Sequence, residues 1–127
     1  MPACPCESGK SYDACCGPLH DGETAGTAEQ LMRSRYSAYA RGDHEYLLAT
    51  WHPRTRPDRL ELYASGTTRW LGLSIRRSED TAPGHAIVEF IARYRVGGAP
   101  ATRLHEISRF VREDGRWYYV DGAFPAQ

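Results

Sequence analysis

An α+β fold is predicted, with helices near the start of the chain packed inside a curled antiparallel sheet and a small cysteine-rich head in front. Three observations predict it. Residues 27–41 carry apolar side chains at helical spacing, residues 70–122 hold stretches that alternate with a period of two between turn residues, and all four cysteines fall within the first 16 positions. Helices first and consecutive strands afterwards is the order of a domain whose long curled sheet wraps the helix and leaves a cup. A chain of 127 residues can bury one such domain plus a small appendage.

The stretch 27–41 is the element the rest is organised around. Thr27 and Gln30, three residues apart, form a capping box, and Gly42 supplies the stop. Ala28, Leu31, Met32, Tyr36 and Tyr39 share one side of this helix, while Glu29, Gln30, Arg33, Ser34, Ser37 and Arg41 share the other. Arg35 breaks the pattern. It sits within the apolar face, where an unpaired guanidinium is costly, so it is expected to meet a carboxylate from elsewhere in the chain.

Asp43 caps a second helix over 43–51 that buries Tyr46, Leu47, Thr50 and Trp51, and His52-Pro53 ends it. Residues 54–59 are basic and broken by Pro57, which makes a solvated loop, and 60–64 form one short helical turn. The remainder is strand-like. Residues 70–76 alternate Leu71, Leu73 and Ile75 against Trp70, Gly72 and Ser74; residues 86–96 alternate Val88, Phe90, Ala92 and Tyr94 against Ile87, Glu89, Ile91 and Arg93. Gly97-Gly98-Ala99-Pro100 turns the chain into a strand over 102–112, and Asp114-Gly115 makes a tight hairpin into 116–122.

Sixteen basic and sixteen acidic residues cancel, so composition gives no pull toward nucleic acid. No run approaches the roughly 18 apolar residues of a membrane span, and the first residues lack the apolar stretch of a secretory signal, so the protein is expected in the cytoplasm, away from membranes. Reduced thiols belong there too. Cys4, Cys6, Cys15 and Cys16 supply four thiolates, the number that a closed tetrahedral structural zinc site requires. Pro5 stiffens the first pair, residues 8–11 can turn the chain back, and Lys10 offsets negative charge. A disulfide between neighbouring Cys15 and Cys16 would be strained. Zn2+ is therefore the expected cofactor, supplying the folding energy of residues 1–20, and the Gly-rich, acidic stretch 21–26 reads as a linker to a domain over 27–127. Four thiolates leave no position for water, so the site is expected to be structural or a docking surface.

Cys-Pro-Cys-Glu-Ser-Gly-Lys-Ser-Tyr-Asp-Ala-Cys-Cys-Gly at 4–17 resembles the SEC-C zinc-binding motif, first described at the C-terminus of the SecA translocation ATPase. The resemblance implies that the fourth ligand follows the third directly, which selects Cys16 over His20; Glu7 stands where the motif usually has glycine. It also implies a protein or nucleoprotein partner for the head. Leu-Met-Arg-Ser-Arg-Tyr-Ser-Ala-Tyr at 31–39, Thr-Trp-His-Pro at 50–53, Val-Glu-Phe at 88–90, His-Glu-Ile-Ser-Arg-Phe at 105–110 and Gly-Arg-Trp-Tyr-Tyr-Val-Asp-Gly at 115–122 resemble the YchJ family. That resemblance spans nearly the whole chain and implies a SEC-C segment followed by a nuclear transport factor 2-like, cystatin-like cone. Cones of this kind host enzymes, binding modules and adaptors alike, so the family indicates fold far better than activity.

Glu89, Glu106 and Asp121 each lie in a strand among apolar or aromatic neighbours, and any of them could face Arg35 across the cup. The reading favours Glu106 or Asp121 as its partner, with Glu89, His52, Tyr36 and Tyr119 as further polar tips of a ligand site. Parity puts Asp121 on the face of Trp117 and Tyr119, and Glu106 with Leu104, Ser108 and Phe110. A non-catalytic binding or adaptor protein, with the head on a partner and the cone as scaffold or small-ligand holder, is the favoured function. The alternative is a small-molecule isomerase, dehydratase or hydrolase, which requires His52 and a carboxylate within hydrogen-bond reach at the bottom of an apolar pocket. A third class, an oligomer formed through the sheet's outer face, draws on Trp70 and Tyr118 as exposed aromatics.

Overall fold

Helices and strands form where propensity, caps and alternation agree. The structure, a computed structural model, describes residues 3–57 and 68–125, so the turn expected at 60–64 lies outside the described residues. After a short 3-10 turn at Tyr12–Ala14 come helices α1 (Cys16–His20), α2 (Ala28–Arg41) and α3 (His44–Ala49), then strands β1 (Thr68–Ala82), β2 (His85–Val96), β3 (Thr102–Glu113) and β4 (Arg116–Ala123). Thr27 Oγ1 accepts the Gln30 amide at 3.1 Å, while the Gln30 side chain reaches back to the Gly26 amide at 2.7 Å, one residue earlier than an ideal capping box. Gly42 ends α2 in the left-handed region, and Asp43 Oδ1 caps α3 through the Tyr46 amide at 3.1 Å.

The strands form an antiparallel meander in the order β1-β2-β3-β4. Residues 50–52 extend it, because His52 N and Tyr119 N exchange 2.8 Å bonds with Tyr119 O and Thr50 O along the edge of β4. The Asp114-Gly115 hairpin forms as read, both residues having positive φ. β1 runs well past the stretch 70–76, to Ala82. Its second half is paired to β2 but exposed, so no core imposes the apolar alternation by which a strand is recognised.

Two bulges reset which side chains face the cup. Leu71 is skipped between the pairs Trp70–Tyr94 and Gly72–Arg93, which puts Trp70 inside with Leu73 and Ile75. The sheet therefore lacks Trp70 as an outer-face aromatic. Val120 is likewise skipped between Phe110–Tyr119 and Arg109–Asp121, so Tyr119 points in and Asp121 points out.

α2 is covered on two sides rather than one. Leu31, Met32 and Tyr36 join Leu73, Val88, Phe90, Phe110 and Trp117 in the core inside the sheet. Ser34 and Ser37, expected on the solvent side, are fully buried beneath the head and α3. Ser34 Oγ lies 2.6 Å from the Tyr46 hydroxyl, and Ser37 Oγ 3.4 Å from Cys4 Sγ. Arg33 Nη1 donates to Cys6 O at 2.8 Å, a further clasp between helix and head. The small polar face is therefore a docking strip for the cysteine-rich segment.

Candidate functional site

The head folds around its sulfurs. Cys4 N donates to Lys10 O at 2.9 Å and Glu7 N to Cys4 O at 3.1 Å, and the bridge between Ala3 and Ser11 closes the loop that carries Cys4 and Cys6. Glu7 takes φ 61°, the left-handed conformation that the glycine usual in the motif adopts freely. The second pair sits at the start of α1. All four Sγ atoms lie within 4.8 Å of one another, with Cys6–Cys15 at 3.6 Å and Cys15–Cys16 at 3.9 Å. A tetrahedron of sulfurs with metal bonds of about 2.3 Å has edges of about 3.8 Å, so the donor set and its spacing fit a metal ion. Cys4, Cys6 and Cys16 are buried and Cys15 is half-buried, with Ser8 Oγ 3.1 Å from its sulfur. The Cys6 thiol is lowered to about 4, chiefly through its hydrogen bond with Cys16, whose own thiol is pushed up. Sulfurs packed this closely repel one another once ionised, and a divalent cation among them offsets that repulsion.

His20 is not in this cluster. Its Nε2 lies 2.8 Å from Ser34 O and its Nδ1 2.7 Å from the Tyr12 hydroxyl, with the Tyr46 ring 4.5 Å away. A carbonyl can only accept, so Nε2 carries the proton and Nδ1 receives the Tyr12 hydroxyl hydrogen, leaving no lone pair for a metal. His20→Ala is expected to cost about 2–3 kcal/mol of stability while the metal content stays unchanged, which thermal melts and metal analysis of the same preparation check together.

The second site is the cup, a cavity of about 220 Å3 lined by α2, β1, β2, β3 and β4. Arg35 is buried at its wall, but the carboxylate expected beside it is not there. Among the described residues no acid lies within 4.0 Å of the guanidinium. Instead Nη1 donates to Leu47 O at 2.8 Å and Thr50 Oγ1 at 2.7 Å, and Cζ sits 4.5 Å above the Tyr119 ring and 5.3 Å from the Trp51 ring. Aromatic faces and the last turn of α3 take the place of a counter-ion.

Glu106 does face the cup, at the far end of the Tyr119 ring. Its Oε2 accepts from Ser108 Oγ at 2.6 Å and from the Tyr119 hydroxyl at 3.1 Å. Burial raises the Tyr119 phenol, and it raises that of Tyr36, which also lines the cup, to about 12; both remain protonated donors. Gly122 makes room for Glu106, since a Cβ there would run into its carboxylate. Gly122→Ala is expected to lower stability by about 1–3 kcal/mol and to expel Glu106 from the cup, measurable by denaturant melts.

The remaining polar tips lie elsewhere. Asp121 is on the outer face beside Arg109, with 2.6 Å between Arg109 Nε and Oδ1, because the Val120 bulge inverts the parity on which its placement inside rested. Glu89 is also outside, 2.7 Å from His105 Nε2 and 3.4 Å from Arg77 Nε, as its alternation with inward Val88 and Phe90 requires. His52 is buried on the edge of β4, 3.0 Å from Glu113 Oε2 and against the Tyr118 ring, away from the cup. Tyr118 is thereby partnered by His52. The structure brings together Arg35, Tyr36, Glu106 and Tyr119, and adds Tyr39, Trp70, Ser108 and Phe124 to the lining. Trp70 was hidden by the Leu71 bulge; Ser108 was signalled by its shared face with Glu106.

Comparison with known proteins matches this architecture throughout. Residues 27–122 match the family described as YchJ, middle NTF2-like domain. A UPF0225 protein of Xanthomonas oryzae pv. oryzae is 56% identical over 118 residues, covering 93% of this chain and 92% of the relative. The solution structure of a SEC-C motif containing protein from Rhodopseudomonas palustris superposes with a TM-score of 0.83 at 39% identity, covering 97% of this chain and 98% of that one. The crystal structure of a SEC-C motif containing protein from Psychrobacter arcticus gives 0.80 at 31% identity, covering 98% and 83%. With a four-cysteine head clasped to a helix that a curled four-stranded sheet encloses, and relatives alike along nearly their whole length, the chain belongs to the YchJ (UPF0225) family.

Proposed function

We propose that this protein is a zinc-dependent, non-catalytic binding protein of the cytoplasm, in which the metal fixes the head to the back of α2 and the cup receives a small ligand. The observation that carries the reading is the placement of the sulfurs: three of the four are buried in the same core as Leu31, Met32 and Tyr36. A metal there completes packing. With four thiolates it has no position left for water or substrate, so it supplies folding energy and shape rather than chemistry. The head's exposed surface then serves a protein or nucleoprotein partner. Catalysis in the cup finds less support, because His52 is held by Glu113 outside it.

Protein purified without added zinc is expected to carry about one equivalent of it per chain, and serine at both Cys15 and Cys16 to abolish it; retention by the double variant overturns the four-thiolate site. A crystal of protein taken straight from cells tests the cup by electron density in the cavity.

A further inference from the structure

Arg35 is the most unusual group in the molecule. It is 3% exposed, and Nη1 spends its two hydrogens on Leu47 O and Thr50 Oγ1. A guanidinium has five N–H donors, so the three on Nε and Nη2 have no acceptor among the described residues, although the side chain lines a cavity. Among the described residues the close contacts of Arg35 are ring faces and one turn of helix, with Glu106 acting only across the cavity, so the cation has room for an anion at contact distance.

We propose that the cup takes a small aromatic monocarboxylate, whose carboxylate engages the free edge of Arg35 and whose ring lies among Tyr36, Trp70, Phe90 and Tyr119. This deepens the reading of the cup as a ligand site and rests on it. Size limits the occupant: about 220 Å3 is the space of roughly seven liquid waters, below the range of drug-sized pockets, which suits a single ring with a short acidic arm. Shape selects the ring, because the walls are aromatic side chains already packed edge-on or tilted, such as Tyr36 on Trp70 with centroids 5.7 Å apart. Charge selects a monoanion. Arg35 and Glu106 are lining residues of opposite charge, so a monoanion leaves the cavity with one uncompensated negative charge where a phosphate dianion leaves two in a confined, poorly solvated space. The planar fork of a guanidinium also matches a carboxylate in a bidentate pair. Phe124, 66% exposed at the rim, gives the ring an apolar neighbour at the mouth.

The test titrates the zinc-loaded full chain with benzoate, 4-hydroxybenzoate, benzamide and phenyl phosphate, followed by amide and aromatic NMR shifts. Benzoate or its hydroxylated form is expected to bind in the cup, with benzamide and phenyl phosphate about tenfold weaker or more. Arg35→Met is expected to weaken benzoate by roughly 10- to 100-fold, the worth of a charge-assisted pair, while Asp121→Asn on the outer face binds as the parent does. Equal binding of benzamide, or unchanged binding by a folded Arg35→Met chain, overturns the proposal. If no probe binds but native mass spectrometry of protein from cells shows another molecule in the cup, the ligand class falls and the binding reading stands. If nothing binds and nothing copurifies, both fall.

Discussion

Cys16→Ser is expected to abolish binding of the proposed metal and to lower stability by about 3 kcal/mol or more. Cys16 is 1% exposed and belongs to the core shared with α2, so the substitution acts twice. A serine oxygen is a poor zinc ligand, and its hydroxyl is left in a place that water does not reach. Cys15 is half-buried, so Cys15→Ser leaves three thiolates and room for water, weakening the metal while costing roughly half as much stability. A chelator separates metal loss from packing loss. Chelation is expected to bring the melting temperature of the parent down toward that of Cys16→Ser and to leave the variant unmoved. Calorimetry with metal analysis on each sample reads both.

Arg35→Ala destabilises by about 3–5 kcal/mol, whereas Arg35→Met stays within about 2 kcal/mol of the parent. Alanine removes the donor to Leu47 O, the stacking on Tyr119 and Trp51, and the volume that keeps α2 apart from the edge of β4. Methionine loses the donor but keeps most of the volume, and it removes the desolvation of a buried charge, which lowers the Arg35 pKa even here. The gap between the two variants in urea melts measures how far the guanidinium is tolerated rather than needed by the fold. A methionine variant as unstable as the alanine one makes Arg35 a structural residue, and the cup loses its ligand argument.

Most of the fold was legible because local signals agreed with one another: the Thr27 cap, the Gly42 stop, the period of α2 and the Asp114-Gly115 hairpin all point the same way. The four sulfurs were legible for the same reason, since chemistry and spacing converge on one site. What failed was what local pattern does not encode. A bulge adds one residue without changing composition, so nothing in the alternation of β4 marks Val120 as the place where Asp121 turns outward. The amphipathic pattern of α2 gave one buried side because serines count as polar, yet Ser34 and Ser37 are small enough to admit the head and Tyr46. Arg35 was legible as an anomaly within an apolar face, and its burial follows. The expected direct ion pair is not formed among the described residues: Glu106 shares the cavity and acts on Arg35 only across it, while ring faces and a helix end make the close contacts.

X-ray absorption at the zinc edge of the protein as isolated tests the central claim most directly. Four sulfur neighbours at about 2.3 Å, with about one zinc per chain, is the predicted result. A shell containing nitrogen or oxygen, or a chain that folds fully without zinc, contradicts the account of a head held to its domain by four thiolates.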